Sequence, residues 1–349
     1  MDLGNQTDAQ VDTLIKNAME RNNISVLSLA VVKDGIIKCA GYGTADRENR
    51  IRAAPETAYH IGSVGKQFIA TGIMLLVENR QLGLDDSAVR YLRGAPTEWS
   101  GITVRHLLTH TAGLRREPVG YDPDVDTPDA DLIRNSYSRD LLFPPGRDYA
   151  YSNLGYFLLA ELIRVVTGDR WSKFIESRVF APAGLNMTRP TDRTDDLPRL
   201  AKGYRWRNGR WIPARRPVGL RPSGAFVSTV LDLAKWDQVL RTDQVLARAS
   251  REPMWTRVPL SSGETSNYGF GWLLAPQRGR VLQVFHAGRP RSGGFRAAMR
   301  RYLDEDLAVV VLTNSHDAIG LRPPDIADLY RSRAPTAEIE ERHDEIDDN

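Results

Sequence analysis

Ser63 and Lys66, in Ile61-Gly62-Ser63-Val64-Gly65-Lys66 ahead of an apolar run, are the first residues whose types and spacing suggest chemistry. A serine hydroxyl is a poor nucleophile until a base takes its proton, and a helix N-terminus adds positive partial charge that favours the developing oxyanion. Helical spacing puts the two side chains on one side, a turn apart. An amine can be that base only if it can become neutral; arginine cannot, whereas a buried lysine can. The chain has 40 Arg and 7 Lys, yet lysine holds this position. A site that needed only a cation would more readily have been arginine. Alone, S-x-x-K reads equally well as a helix cap followed by a solvated lysine.

Two further constellations carry suitable groups. Pro145-Gly146-Arg147-Asp148-Tyr149-Ala150-Tyr151-Ser152-Asn153 leads into the apolar run LGYFLLAELI. A phenol near an ammonium can shuttle a proton between nucleophile and leaving group, and an amide can bind a substrate carbonyl. The plainer alternative makes Tyr151 a packing residue and Asn153 the cap of the next helix, and Asn153 could serve both ends. The third is His286-Ala287-Gly288, after VLQVF and before Arg289-Pro290. Small residues at a strand edge admit a substrate backbone, and a main-chain N–H there could supply half of an oxyanion hole. His60-Ile61-Gly62 has the same H-x-G pattern, so placement on a late strand selects His286.

S-V-G-K, Y-S-N and H-A-G, with first residues 88 and 135 positions apart, resemble the serine β-lactamase and penicillin-binding-protein-like hydrolases of the class C type. Y-S-N stands where a related set has S-D-N. That branch includes D-alanyl-D-alanine carboxypeptidases, D-aminopeptidases and esterases. ITVRHLLTHTAGL, PGRDYAYSNLGYFLLAELI, SGAFVSTVLDLAKW and LAVVVLTNS extend the resemblance over about residues 10 to 333. It implies that Ser63 is acylated, that Lys66 is its proton partner and that Tyr151 is general base and acid. Asn153 would contact a substrate amide, and the Ser63 and Arg289 N–H groups would form the oxyanion hole beside His286 and Gly288. His286 stands where β-lactamases usually have lysine, which weakens the expected grip on a β-lactam carboxylate. Arg289, with Arg291, would bind an anionic group or narrow the cleft.

The function this implies is acyl transfer to water from a small ester or a D-amino-acid amide or peptide. The alternatives are a β-lactamase and, in another class, a catalytically silent scaffold of the same fold. A Ser-His-Asp hydrolase would need a G-x-S-x-G elbow, and Gly62-Ser63-Val64-Gly65 lacks its first glycine. His106 and His110 stand four apart, but without an H-E-x-x-H acid or a third ligand they read as helix-end residues rather than a metal site. No cofactor is expected.

The elements that must position these groups follow from periodicity. Val11 to Arg21 has helical spacing, and two β-rich runs flank Lys33-Asp34-Gly35, a hairpin turn. From Gly62 to about Leu240 the pattern is mostly helical. NYGFGWLLA, VLQVFHAG, GGFRAAMRRYL and LAVVVLTNS then read as four strands and IADLYRSR as a closing helix. The expected fold is α+β: an antiparallel sheet from both chain ends (1–61 and 245–333), terminal helices, a mostly helical inserted domain (62–244) and an acidic tail (334–349).

Composition excludes other classes. The 349 residues are 41% hydrophobic and 26% charged, as in a globular protein. The tail carries seven acids against one arginine, so the net +3 is –6 there and +9 elsewhere. The basic residues are scattered rather than clustered with aromatics, which argues against nucleic acid as a partner and leaves a small-molecule or peptide substrate. The single Cys39 forbids an internal disulfide. No apolar run could span a bilayer, and MDLGNQTDAQ lacks a leader pattern. The expectation is a soluble protein, cytoplasmic as it stands, periplasmic or secreted if a leader was removed. Oligomeric state is not legible.

Overall fold

The computed structural model describes residues 3–193, 197, 199–215, 221–224, 226–277, 280–290, 293–315 and 321–331; Arg291 and the acidic tail lie outside them. Seven strands form one antiparallel sheet: β1 (Val26–Lys33), β2 (Ile36–Asp46), β3 (Ile51–Arg52), β4 (Leu273–Gln277), β5 (Arg280–Gly288), β6 (Arg296–Tyr302) and β7 (Leu307–Thr313). Their order is β4-β5-β6-β7-β1-β2-β3, so the two ends of the chain meet in mid-sheet, where Leu29 faces Val311. The β1–β2 turn is the expected one, with φ 53° at Asp34 and 128° at Gly35.

Alternation assigns the central strands' two faces. Leu27, Leu29 and Val31, with Val309 and Val311, pack against Val11 and Ile15 of helix α1 (Leu3–Arg21) and Ile326 of helix α5 (Pro323–Ala327). Val26, Ala30, Val32, Ala308, Val310 and Leu312 face the other way, into the core shared with Phe68, Phe226 and Trp236. With both faces covered, the strands read as nearly unbroken apolar runs.

The second face carries the helices that hold the site: α2 (Lys66–Glu78), α3 (Asn153–Thr167) and α4 (Val230–Val239). Helix α2 is buried from Lys66 through Leu76, so it is apolar nearly all round, as a helix inside a core must be. Phe68 meets the rings of Phe180, Trp236 and Phe226 at 4.9, 5.2 and 5.6 Å. The Trp236 indole donates to Gln67 Oε1 at 2.7 Å, and Gln67 Nε2 donates to the Val64 carbonyl at 2.8 Å, tying α4 to the turn beside Ser63. Buried Asp237 of α4 also pairs with Arg301 of β6, fixing the helix to the sheet.

Two element boundaries need correction, and the mostly helical middle of the chain also carries short strands. Tyr59–His60, Arg189–Pro190 and Phe226–Ser228 form a small antiparallel sheet, and Tyr204–Arg207 pairs with Arg210–Pro213. These strands are too short for periodicity to register. β4 starts at Leu273 rather than at Asn267, because Gly271 (φ 78°) turns the chain first. The last helix begins at Pro323, where a missing N–H costs nothing in a first turn, and ends at Ala327. No helix among the described residues is long and apolar enough to cross a membrane.

Candidate active site

Ser63 lies in a 3₁₀ turn, Gly62–Gly65, that runs directly into α2 with Lys66 as its first residue. Three residues per turn eclipse side chains i and i+3. Lys66 Nζ accordingly donates to Ser63 Oγ at 3.1 Å. It also donates to Asn153 Oδ1 at 2.8 Å and to the Ser223 carbonyl at 2.7 Å. These three bonds match the three N–H groups of an ammonium. Lys66 is 0% exposed. The alternative of a solvated lysine is thereby excluded, and Ser63 caps no helix: the N-caps here are Ile61 and Gly65, neither with a side-chain cap bond.

Aromatic faces surround the same ammonium: its Nζ stands 4.9 Å from the Tyr151 ring centroid and 5.4 Å from that of Tyr156. Ring quadrupoles attract cations at such distances. Arg116 stacks on Tyr151 at 5.2 Å.

The cap of α3 is Ser152, whose Oγ accepts the Gly155 N–H at 3.1 Å, and not Asn153. As the first helical residue, Asn153 is free of capping. Its amide spans Lys66 and Glu117, donating to Glu117 Oε1 at 2.7 Å.

His286 lies on β5, 4% exposed, with its ring 6.3 Å from that of Tyr151. Its Nδ1 is 2.7 Å from the Ala287 carbonyl and its Nε2 2.8 Å from the Tyr268 hydroxyl. A carbonyl only accepts, so Nδ1 carries the proton and Nε2 accepts from Tyr268. Burial, and secondly the nearby Lys66 charge, pull the imidazole down to about 3. His286 is thus a neutral ring with both nitrogens engaged.

Gly288 and Gly62 allow two backbones to touch. A Cβ on Gly288 would lie 1.9 Å from the Ile61 carbonyl oxygen and 3.0 Å from the Ser63 nitrogen. One on Gly62 (φ 52°) would lie 3.1 Å from the Arg289 nitrogen. The Ser63 and Arg289 amides therefore flank one join between β5 and the Ser63 turn. The Arg289 side chain is half-buried.

His106 and His110 diverge. His106 Nδ1 accepts the Thr103 N–H at 3.3 Å in a capping box, whereas His110 Nδ1 accepts the Ser152 N–H at 3.1 Å. Among the described residues no cluster of three His, Cys, Asp or Glu could hold a metal ion.

The family model described as Beta-lactamase matches residues 11–329. The chain belongs to the Beta-lactamase family. It is 30% identical over 329 residues to "Penicillin-binding protein 4*" of Bacillus subtilis (strain 168), covering 88% of this chain and 72% of that protein. Among solved structures it resembles the octameric penicillin-binding protein homologue from Pyrococcus abyssi, with a TM-score of 0.79 at 29% identity over 92% of this chain and 76% of that one. The D-amino acid amidase from Ochrobactrum anthropi SV3 in complex with D-phenylalanine shares the fold, with a TM-score of 0.77 at 24% identity over 93% and 97%. Penicillin-binding proteins are among the chain's relatives, and EstCE1, a hydrolase with promiscuous acyltransferase activity, shares the fold as the amidase does.

Within this Beta-lactamase family chain, the sequence reading missed Ser223, Glu117, Tyr268 and His110 as parts of the site. Ser223 acts through its carbonyl, which has no side-chain signature. The small sheet brings it in: Ile61 N–H donates to Phe226 O at 3.1 Å, aligning that strand with the Ser63 turn. The only signal was the family-like stretch SGAFVSTV.

Proposed function

We propose that the protein is a serine acyl hydrolase that forms an acyl-enzyme at Ser63 and hydrolyses a small ester or a D-amino-acid amide or peptide. The observation that carries this is the buried Lys66 ammonium, held by Ser63 Oγ, Asn153 Oδ1 and the Ser223 carbonyl with no carboxylate among these three partners. As an ammonium Lys66 only donates; it takes the Ser63 proton in its neutral form, with the Ser63 hydroxyl then donating to Nζ. Ser63 attacks the carbonyl as Lys66 and Tyr151 remove its proton, and the oxyanion is held by the Ser63 and Arg289 N–H groups. Tyr151 protonates the leaving group. Water then attacks the acyl-enzyme with Tyr151 as base, restoring Ser63. Asn153 contacts the substrate's amide, and Gly288 lets β5 close against the turn that carries Ser63.

His286 favours an ester or D-amino-acid amide over a β-lactam. Neutral, with both nitrogens engaged, it offers no ammonium to the carboxylate of a penicillin or cephalosporin. The test is intact-protein mass after incubation with a fluorophosphonate, expected to show one adduct that Ser63→Ala abolishes. Parallel turnover of a short-chain p-nitrophenyl ester, a D-amino-acid amide and a chromogenic cephalosporin then sorts the substrate class, with the carboxylate-bearing cephalosporin slowest. Absence of an adduct would leave the scaffold alternative; fastest turnover of the cephalosporin would overturn the substrate assignment.

A further inference from the structure

His110 is not used by the mechanism above, yet it is 1% exposed and lies against Tyr151. It follows the short helix Val104–Leu108 with φ 58°, a backbone conformation uncommon outside glycine. Three contacts converge on Tyr151 from this one residue. The His110 carbonyl accepts the Ala150 N–H at 2.9 Å, and its Nδ1 accepts the Ser152 N–H at 3.1 Å, so the amides on both sides of Tyr151 are held. The imidazole packs on the phenol ring itself, centroids 4.3 Å apart.

An imidazole that accepts at Nδ1 while neutral carries its proton on Nε2. That nitrogen is buried and makes no hydrogen bond among the described residues. Burial, then the charge of Lys66, hold His110 well below the usual histidine range. The acceptor is therefore present throughout the neutral pH range. Its one basic nitrogen is already committed to the Ser152 N–H, so His110 cannot itself take the Ser63 proton.

We propose that His110 is a positioning residue that fixes the Tyr151 phenol over Lys66 by gripping the amides before and after it. This rests on the assignment of Tyr151 as proton shuttle and explains the strained backbone: the turn after Leu108 brings carbonyl and ring to bear on the same short segment. It also accounts for the registration of Asn153, one residue beyond the held amide.

The side-chain positions separate gripping from packing. Asparagine places Oδ1 where Nδ1 stood and tolerates left-handed backbone, whereas the glutamine carbonyl falls elsewhere. His110→Asn is expected to keep most of the wild-type kcat on the p-nitrophenyl ester. His110→Gln should lose about a hundredfold, the cost of a misplacement of about 1 Å, with KM changed by less than about threefold. Wild-type kcat in His110→Gln, or equal losses in both variants that follow their melting temperatures, would overturn the proposal. If His110→Gln does not fold, ¹⁵N-histidine spectra of the wild-type protein decide. The His110 signal, assigned with the asparagine variant, must show the neutral Nε2–H form from pH 6 to 8, and an Nδ1–H form or a cation would refute the grip. Failure of the fluorophosphonate to label wild-type Ser63 would remove the functional assignment and leave this tautomer result standing on its own.

Discussion

Lys66→Met is the substitution that best separates catalysis from structure. Methionine keeps an unbranched stem of similar length in a position that is 0% exposed, and removes the ammonium. The stability terms nearly cancel. Three hydrogen bonds from a charged donor contribute about 1.5–3 kcal/mol each. Against them stands a burial cost of several kcal/mol for an ion taken out of water; side-chain entropy is similar for lysine and methionine and cancels. The variant should therefore lie within about 2 kcal/mol of wild type in urea unfolding. Turnover has no such compensation. A positioned general base contributes about 10²–10⁴-fold, which is about 2.7–5.5 kcal/mol of barrier. Ester hydrolysis followed by p-nitrophenolate absorbance should fall by that factor, with the rate of Ser63 labelling falling in parallel. Lys66→Arg should not restore it, because a guanidinium cannot give up its proton and its planar fork does not fit three acceptors around a point charge. Lys66 is not the base if Lys66→Met keeps more than about a tenth of wild-type turnover. Nor is it the base if the variant loses about 5 kcal/mol of stability and its residual activity simply tracks the folded fraction, since Lys66 would then be a structural cation.

Two further outcomes follow from the same geometry. Gly288→Ala would drive its Cβ to 1.9 Å from the Ile61 carbonyl oxygen, so β5 must separate from the nucleophile turn; acylation of Ser63 should slow at least as much as the protein is destabilised, and unchanged labelling kinetics would show that the Ser63–Arg289 join is not the oxyanion site. His286 has its pKa pulled down to about 3 from 6.5 by burial, so the unfolded chain binds a proton that the folded one refuses. Stability is then full above pH 6.5 and is lost as pH falls toward 3, by about 2 kcal/mol at pH 5 from this group; urea midpoints at pH 7.5 and 5.0 should differ less in His286→Gln than in wild type, and parallel curves would contradict the buried neutral imidazole.

The candidate groups that the fold brings together were partly legible in the chain itself: Ser63 and Lys66 because an S-x-x-K pair shares a helical turn and lysine is scarce in an arginine-rich sequence, Tyr151 and His286 through the stretches Y-S-N and H-A-G. The central strands were legible for a similar reason: β1 and β7 are covered on both faces, which demands continuous apolar runs. What could not be read acts through backbone atoms or through distant partners. The Ser223 carbonyl reaches Lys66 only because a two-residue strand pairs with Phe226–Ser228. Asn153 looked like a helix cap until Ser152 was seen to hold that place. His110, four residues from His106, invited comparison with a metal pair, but a left-handed turn sends it to Tyr151 instead. The sequence by itself determined which groups can do chemistry and that both chain ends build the sheet. Only the tertiary structure decided which hydrogen bonds those groups make, because charge, tautomer and reach are set by neighbours far apart in the chain: Asn153, 87 residues on, and Ser223, 157 residues on, for Lys66, and Tyr268 for His286.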